Sequence, residues 1–501
     1  MAMNGMNRRG QDMPEEQMLL GETSKANIIN STANGKIGEK TTFLTPEPVR
    51  LTPAWEETNL TNDELNFKGV TMEQAQLETN PPKDRWKIVY LILILHGMGT
   101  LMPWNMFINA KSYFVDYKLS ANYTGLEEEE NWYAKDFLSY LGIAAQGPNL
   151  LFNWANIFIQ IGGKLTTRIV WSIVVEMLCF IVTVVLAMTE SSAWPDVFFY
   201  STMLIVVILN MANGIYQNTV YGMAAKLPPA YTGAIILGAN VSGMFSSLIS
   251  IGSLAVAPNP RTAAIYYFIT ALFILSLCFD TYFALPLNRF YKYHELMSQK
   301  AIQKKVKETA NGPLKVPYWR VFKECSGQCF NIFFTFFVTL AVFPAIDSAI
   351  KKYDPDFIIN DKYYVEVMCF LTFNVGTAIG SMLPGFGSWP GPRWLWIPVV
   401  LRFAFIPLFL LCNYRPPGVE RTLQVLIPWD WAYFGLGSLL GLSSGYYSSV
   451  AMMYCPGTVS SPQYTSTASM FGAACIITGI CAGIATSFVF PWIVSNVTLP
   501  L

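Results

Sequence analysis

Leu95-His96-Gly97-Met98-Gly99-Thr100-Leu101-Met102-Pro103-Trp104-Asn105-Met106-Phe107 lies inside the first long apolar segment of the chain. About 20 apolar residues match the hydrocarbon core of a bilayer, yet this stretch holds two glycines, a proline, an imidazole, a carboxamide and an indole. Such groups suit protein or water better than lipid tails. Glycine and proline are tolerated at membrane depth where neighbours or a cavity satisfy the freed backbone. The stretch therefore reads as a cavity-lining helix; the alternative is a structural kink with Trp104 packed into the bundle.

Hydrophobic residues make up 52% of the 501, and charged residues only 13%. That leaves too little polar surface for a soluble globule of this size, so the chain reads as an all-α polytopic membrane protein. Apolar runs give about eleven transmembrane helices, near 88–110, 137–161, 169–189, 198–224, 233–257, 263–285, 328–349, 364–385, 394–413, 430–454 and 465–495. The connection 287–325 is rich in Lys and Arg, which makes it cytoplasmic under the positive-inside rule. It divides the spans into a six-helix bundle (86–286) and a five-helix bundle (326–501) joined by a flexible basic linker. Counting back six spans places residues 1–85 in the cytoplasm, in agreement with the basic collar Lys83, Arg85 and Lys87, and the C-terminus outside or in a lumen.

The first 85 residues are polar and lack an apolar run long enough for a core or a signal peptide, so a disordered tail is expected. Within it, Glu15-Glu16-Gln17-Met18-Leu19-Leu20 fits an acidic dileucine pattern, with Glu15, Leu19 and Leu20 as the residues clathrin adaptors would read. The plasma membrane is the expected residence, with an endosomal or lysosomal membrane as the alternative. Asn122 of Asn122-Tyr123-Thr124 falls in the first external loop and is the expected glycan acceptor. The sequons at Asn30 and Asn59 fall on the cytoplasmic side, and Asn496 lies too near the membrane.

A polar side chain at membrane depth is costly unless it faces the bundle or water, which makes each one a candidate site. In the second span Gln146, Asn149, Asn153, Asn156 and Gln160 share one helical face. This carboxamide stripe fits either a hydrated pathway or interhelical hydrogen bonding. The fourth span repeats the pattern with Asn210, Asn213 and Gln217, next to Asn218 and Thr219; the eighth adds Asn374, Thr377 and Ser381. Facing stripes of neutral donors and acceptors suit an uncharged polar solute. Rows of small residues, Gly238, Ser242 and Ser246, and Gly472, Gly479 and Gly483, read as close-packing surfaces. Two faint internal likenesses, Thr100-Leu101 with Thr339-Leu340 and Gly214–Asn218 with Gly445–Ser449, fit parallel repeats around a shared site.

Ionisable groups within the spans are few. Glu176 and Arg402 are candidates for charge coupling, and His96 titrates near neutrality if solvated. No P-loop, nucleophile elbow or metal-ligand cluster is evident, so no enzyme activity, cofactor or metal is expected, and no nucleic-acid partner. Cys325 and Cys329 share a helical face but lack a second pair.

Gly97 through Asn105, Gln217 with Gly222, Leu227-Pro228 through Tyr231-Thr232, Phe343-Pro344-Ala345, Phe370 through Asn374, Trp389-Pro390-Gly391, and Arg402 through Pro407 to Cys412-Asn413 together resemble the equilibrative nucleoside transporter family. The likeness runs in order from about residue 85 to the end. It implies a 6+5 arrangement like the major facilitator fold, an alternating-access cycle, and nucleosides or nucleobases as substrates. By the same resemblance Leu101, Trp104, Gln146 and Asn149 line the nucleobase side, Gln217 hydrogen-bonds the base, Thr219 stands near it, and Asn374 sits by the substrate. Nucleoside-selective members carry an Asp and an Arg where this chain has Thr377 and Ser381. Their joint loss removes charge-assisted bonds to the sugar, each worth roughly 1.5–3 kcal/mol, without stranding a buried charge. Two other readings stay open: an organic-cation carrier of the same family with Glu176 as its anion, and a non-transporting receptor or scaffold.

Overall fold

The computed structural model describes residues 80–110, 113–125, 137–159, 163–256, 259–308, 316–416 and 419–497. The dileucine residues Glu15, Leu19 and Leu20, and also Gln160, lie outside them. Six long helices come first: α1 Ile88–Asn109, α2 Phe137–Ile159, α3 Leu165–Met188, α4 Pro195–Ala224, α5 Pro229–Val256 and α6 Pro260–Ala284. Then follow α7 Arg289–Glu308, α8 Tyr318–Val342 and α9 Thr372–Met382, the last entered through a π turn, Glu366–Leu371. The series ends with α10 Trp396–Leu410, α11 Asp430–Tyr454 and α12 Thr465–Ser487.

Eight of the described helices are long and apolar enough to cross a membrane by length and composition alone. These are α1, α3, α4, α5, α6, α8, α9 with its preceding turns, and α12. The expected count of eleven also included α2, α10 and α11. Carboxamides dilute α2, glycine, serine and tyrosine dilute α11, and α10 is short.

Helix α3 shows why the molecule suits lipid. It buries Arg168, Ser172, Glu176 and Thr183 on one face and exposes Trp171, Leu178, Val182 and Val185 on the other. A water-soluble helix has the opposite sense, and an apolar outer surface on this scale marks a membrane contact. The chain is a multi-pass membrane protein.

Packing is closest where glycine removes a Cβ. Along the α1–α5 contact, a Cβ on Gly238 would collide with the Ile94 carbonyl, and one on Gly97 with the Ile235 carbonyl. The two backbones therefore touch directly. Gly238→Val is expected to prevent this crossing and remove folded protein from detergent extracts, which size-exclusion chromatography would show. α12 lies on α8 in the same manner, with Gly479 against the Phe333 carbonyl and Gly483 against that of Phe337. Contacts between the two halves run from α5 to α9 and α11, and from α2 and α4 to α12.

The start of α1 is held by Asp84, which accepts from the backbone N–H groups of Val89 and Tyr90 at 3.2 and 3.1 Å and from the Tyr231 hydroxyl of α5 at 3.0 Å. The segment 287–325, expected to be a flexible linker, begins instead as helix α7. Asn288 caps it by accepting from Phe290 N–H at 2.9 Å, Glu295 pairs with Lys226 at 3.7 Å, and Phe290 stacks on Tyr231.

Candidate functional site

Between the two halves lies a cavity of about 150 Å³. α1 contributes Thr100, Leu101, Trp104 and Asn105; α2 contributes Gln146 and Asn149; α4 contributes Asn213, Gln217 and Tyr221. From α5 come Asn240 and Gly243, from α8 Phe336, Thr339 and Leu340, from α9 Phe373, Asn374 and Thr377, and from α11 Ser444. Ile476, Ile477, Ile480 and Ile484 of α12 complete it. The lining therefore divides between carboxamides, six from α1–α5 and Asn374 from α9, and aliphatic and aromatic side chains. None of these lining residues carries a carboxylate or a basic group.

Pattern explains the division. On α2 the expected stripe separates by depth: Gln146 and Asn149 reach the cavity, while Asn153 and Asn156 serve the helix behind it. Asn153 donates to Gln217 Oε1 at 3.3 Å and accepts from Asn218 at 2.9 Å. Asn156 donates to Asn218 and Thr219, each at 3.0 Å, and accepts from Arg168 at 3.3 Å. One stripe thus serves both as cavity lining and as interhelical hydrogen bonding. The side-chain carbonyls of Gln146, Asn149 and Asn213 are buried without a hydrogen-bond partner among the described residues. Buried acceptors normally have one, so these three are disposed to receive a solute's donors.

Of the nine residues expected to contact substrate, Leu101, Trp104, Gln146, Asn149, Gln217, Asn374 and Thr377 line the cavity. Thr219 does not; its hydroxyl is turned to the Ile215 carbonyl at 2.6 Å and to Asn156. Ser381 does not either. One turn beyond Thr377, its hydroxyl donates to the Thr377 carbonyl at 2.8 Å and accepts from Asn240 at 2.5 Å. Spacing put Ser381 on the face of Thr377, but α5 covers that turn.

The three candidates for charge coupling stand behind the lining. His96 is fully buried; its Nδ1 is 2.7 Å from the Tyr216 hydroxyl and its ring lies edge-on to Tyr216 and Tyr282. Glu176 is fully buried on α3, and neither of its oxygens has a hydrogen-bond partner among the described residues. Arg402 has no carboxylate partner among the described residues. It donates instead to the Thr335 carbonyl at 2.7 Å, Thr339 Oγ1 at 2.8 Å, Ser443 Oγ at 3.0 Å and the Leu440 carbonyl at 3.3 Å. Thr339 faces the cavity, so the guanidinium bears on its wall through one hydroxyl.

Sequence reasoning missed Asn240 and Ser444 as lining residues, while Asn105, the carboxamide of the stretch read as cavity-lining, does reach the cavity. Asn240 is a single amide without a helical stripe, and Ser444 sits in a run of small residues that reads as packing. The repeat likeness did contain a signal: Thr100-Leu101 and Thr339-Leu340 both face the cavity, one pair from each half. Asn122 is exposed on a short helix, Ala121–Thr124, capped by Ser120.

A family model described as "Nucleoside transporter" matches residues 203–492. The chain is 30% identical over 459 residues to human equilibrative nucleoside transporter 1, covering 83% of this chain and 99% of that protein. It is 31% identical over 425 residues to rat equilibrative nucleoside transporter 3, covering 79% and 89%. Among solved structures, the human organic anion transporter MFSD10 aligns with a TM-score of 0.45 at 14% identity over 82% of this chain and 95% of that one. With a family model matching more than half its length and relatives matched almost end to end, this chain belongs to the nucleoside transporter family.

Proposed function

We propose that this protein carries nucleosides, and nucleobases as minor substrates, across a membrane by facilitated diffusion, with the cavity opened to each side in turn. The observation that carries this reading is the cavity's chemistry. Carboxamides from both halves face an apolar wall with no charged group in the lining, a match for a flat, neutral, hydrogen-bonding solute. At about 150 Å³ the cavity is below the ~300 Å³ lower end typical of ligand sites, so a nucleoside enters only as the halves separate. Leu101 and Trp104 flank the base, Gln146, Asn149, Gln217 and Asn374 hydrogen-bond it, and Thr377 meets the sugar. No catalytic step is involved.

The same reading places both the N-terminus and α7 in the cytoplasm and glycosylated Asn122 outside. It makes the dileucine of the tail an address for clathrin adaptors from a plasma-membrane residence. The organic-cation alternative needs an anion at the substrate, and Glu176 is not among the lining residues.

Uptake of labelled adenosine, uridine, adenine and a monoamine into proteoliposomes, at two pH values, tests the proposal. Saturable adenosine flux that stops at equal concentrations is expected, and Glu176→Gln should leave it unchanged because the amide is isosteric with the carboxyl. Monoamine flux lost in Glu176→Gln, or no flux of any solute, overturns the reading. Thr377→Val removes a hydroxyl without changing volume and should lower adenosine flux about tenfold while sparing adenine, as competition assays would show.

A further inference from the structure

We propose that Cys325, Cys329 and Cys455 form a binding site for a soft, thiophilic d10 metal ion of the copper(I) class. The nine cysteines are scattered along the chain, yet these three sulfurs lie within 4.8 Å of one another. Cys325 and Cys329 occupy successive turns of α8, with their Sγ atoms 3.7 Å apart. Cys455 is brought to them by the C-terminal end of α11, where the helix tightens into the 3-10 turn Cys455–Thr458. All three are buried, and Cys475 of α12 borders the group beside Cys329.

Metal–sulfur bonds of about 2.3 Å around one ion set the ligand sulfurs roughly 3.8–4.0 Å apart. The cysteines meet that requirement with side-chain adjustments alone. A thiol packed only as a small hydrophobe imposes no orientation. Here the Cys455 thiol donates to the Ala468 carbonyl at 3.3 Å and that of Cys325 to the Phe322 carbonyl at 3.6 Å. Cys329 donates to Cys325 Sγ, so two of the hydrogens point to backbone oxygens and the third lies between sulfurs that a shared ion would join.

Softness selects the ion. Cysteine ligates as the thiolate, so each coordinating thiol releases its proton to solvent as copper(I) enters, and no redox change is involved. Soft sulfur donors select copper(I) over harder ions.

The bound ion would strap α8 to the end of α11. Both helices line the cavity, through Phe336, Thr339 and Leu340 on α8 and Ser444 on α11. Metal loading should therefore slow flux as well as stabilise the fold.

The full-length protein, purified in detergent and kept reduced and anaerobic, is titrated with copper(I) buffered by bicinchoninate. One ion per chain is expected. Cys455→Ala and Cys329→Ala should each weaken binding at least tenfold, whereas Cys278→Ala and Cys412→Ala, which alter buried thiols elsewhere, should not. X-ray absorption of the copper-loaded wild type needs no variant and should show a shell of sulfur neighbours at about 2.3 Å. Copper retained by bicinchoninate in the presence of wild-type protein, equal binding by Cys455→Ala, or a shell of nitrogen or oxygen would each overturn the site.

Discussion

Gln217→Leu is expected to cut the efficiency of adenosine transport by ten- to a hundred-fold while leaving a folded, monodisperse protein. The Gln217 side chain is buried on α4 and reaches the cavity; its Oε1 accepts from Asn153 at 3.3 Å, which fixes the orientation of the amide. Both Nε2 hydrogens are then directed away from Asn153 and can meet the acceptors of a base. Leucine fills the same volume but donates nothing, so a buried solute acceptor goes unpaired, at roughly 1–3 kcal/mol. Gln217→Glu should be as damaging, because a carboxylate accepts where a donor is required and adds charge to a neutral cavity. Asn153→Ala acts one step removed: the amide of Gln217 loses its anchor, and apparent affinity should fall by less than in Gln217→Leu. Uptake kinetics in proteoliposomes separate the three, and unaltered kinetics in Gln217→Leu would remove the residue from the site.

The second large effect is expected at Arg402. A buried guanidinium without an acidic partner is stable only when its N–H groups are hydrogen-bonded, and Arg402 uses four acceptors drawn from α8 and α11. In Arg402→Leu the Thr335 and Leu440 carbonyls and two hydroxyls lose a donor together, each loss costing about 1–3 kcal/mol where no replacement is found. The expected outcome is a marked fall in thermal stability and loss of flux. Arg402→Lys keeps the charge but lacks the planar fork, so it should recover part of the stability and little of the transport. Because Thr339 is the link to the cavity, Thr339→Val should preserve more stability than Arg402→Leu while still lowering flux. Thermal denaturation followed by size-exclusion, run beside the uptake assay, checks all three.

Much of this arrangement was legible from residue spacing. Rows of small residues on α5 and α12 announced close helix contacts, since little more than hydrogen fits where backbones touch at Gly238, Gly479 and Gly483, and the amides of α2 and α4 announced a polar face. What spacing could not give was depth and cover. Gln146 and Asn156 lie on the same face of one helix, yet the first opens on the cavity and the second is buried against Thr219 and Arg168. Thr377 and Ser381 differ in the same way, because the Ser381 hydroxyl is taken up by Asn240 of α5 and lies against Gly445 of α11. The order in 289–308 was hidden because a charged segment with low hydrophobicity reads as linker; a capping Asn288, the Glu295–Lys226 ion pair and burial of Phe290 and Tyr291 hold its first turns. Cys455 could not be joined to Cys325 and Cys329 from sequence, since the contact depends on how α11 packs on α8.

Asp84 and the glycine crossing bear on how such a carrier moves. The carboxylate ties the first turn of α1 to Tyr231 at the start of α5, the backbones touch at Gly97 and Gly238, and farther along Asn105 donates to Ser242 at 3.2 Å. Two helices pinned at three heights behave as a single stiff beam. In the alternating-access cycle proposed above, Trp104 and Asn240 then travel together, so a bound solute keeps its grip on one wall while the opposite wall, to which α9 and α11 contribute, lets go.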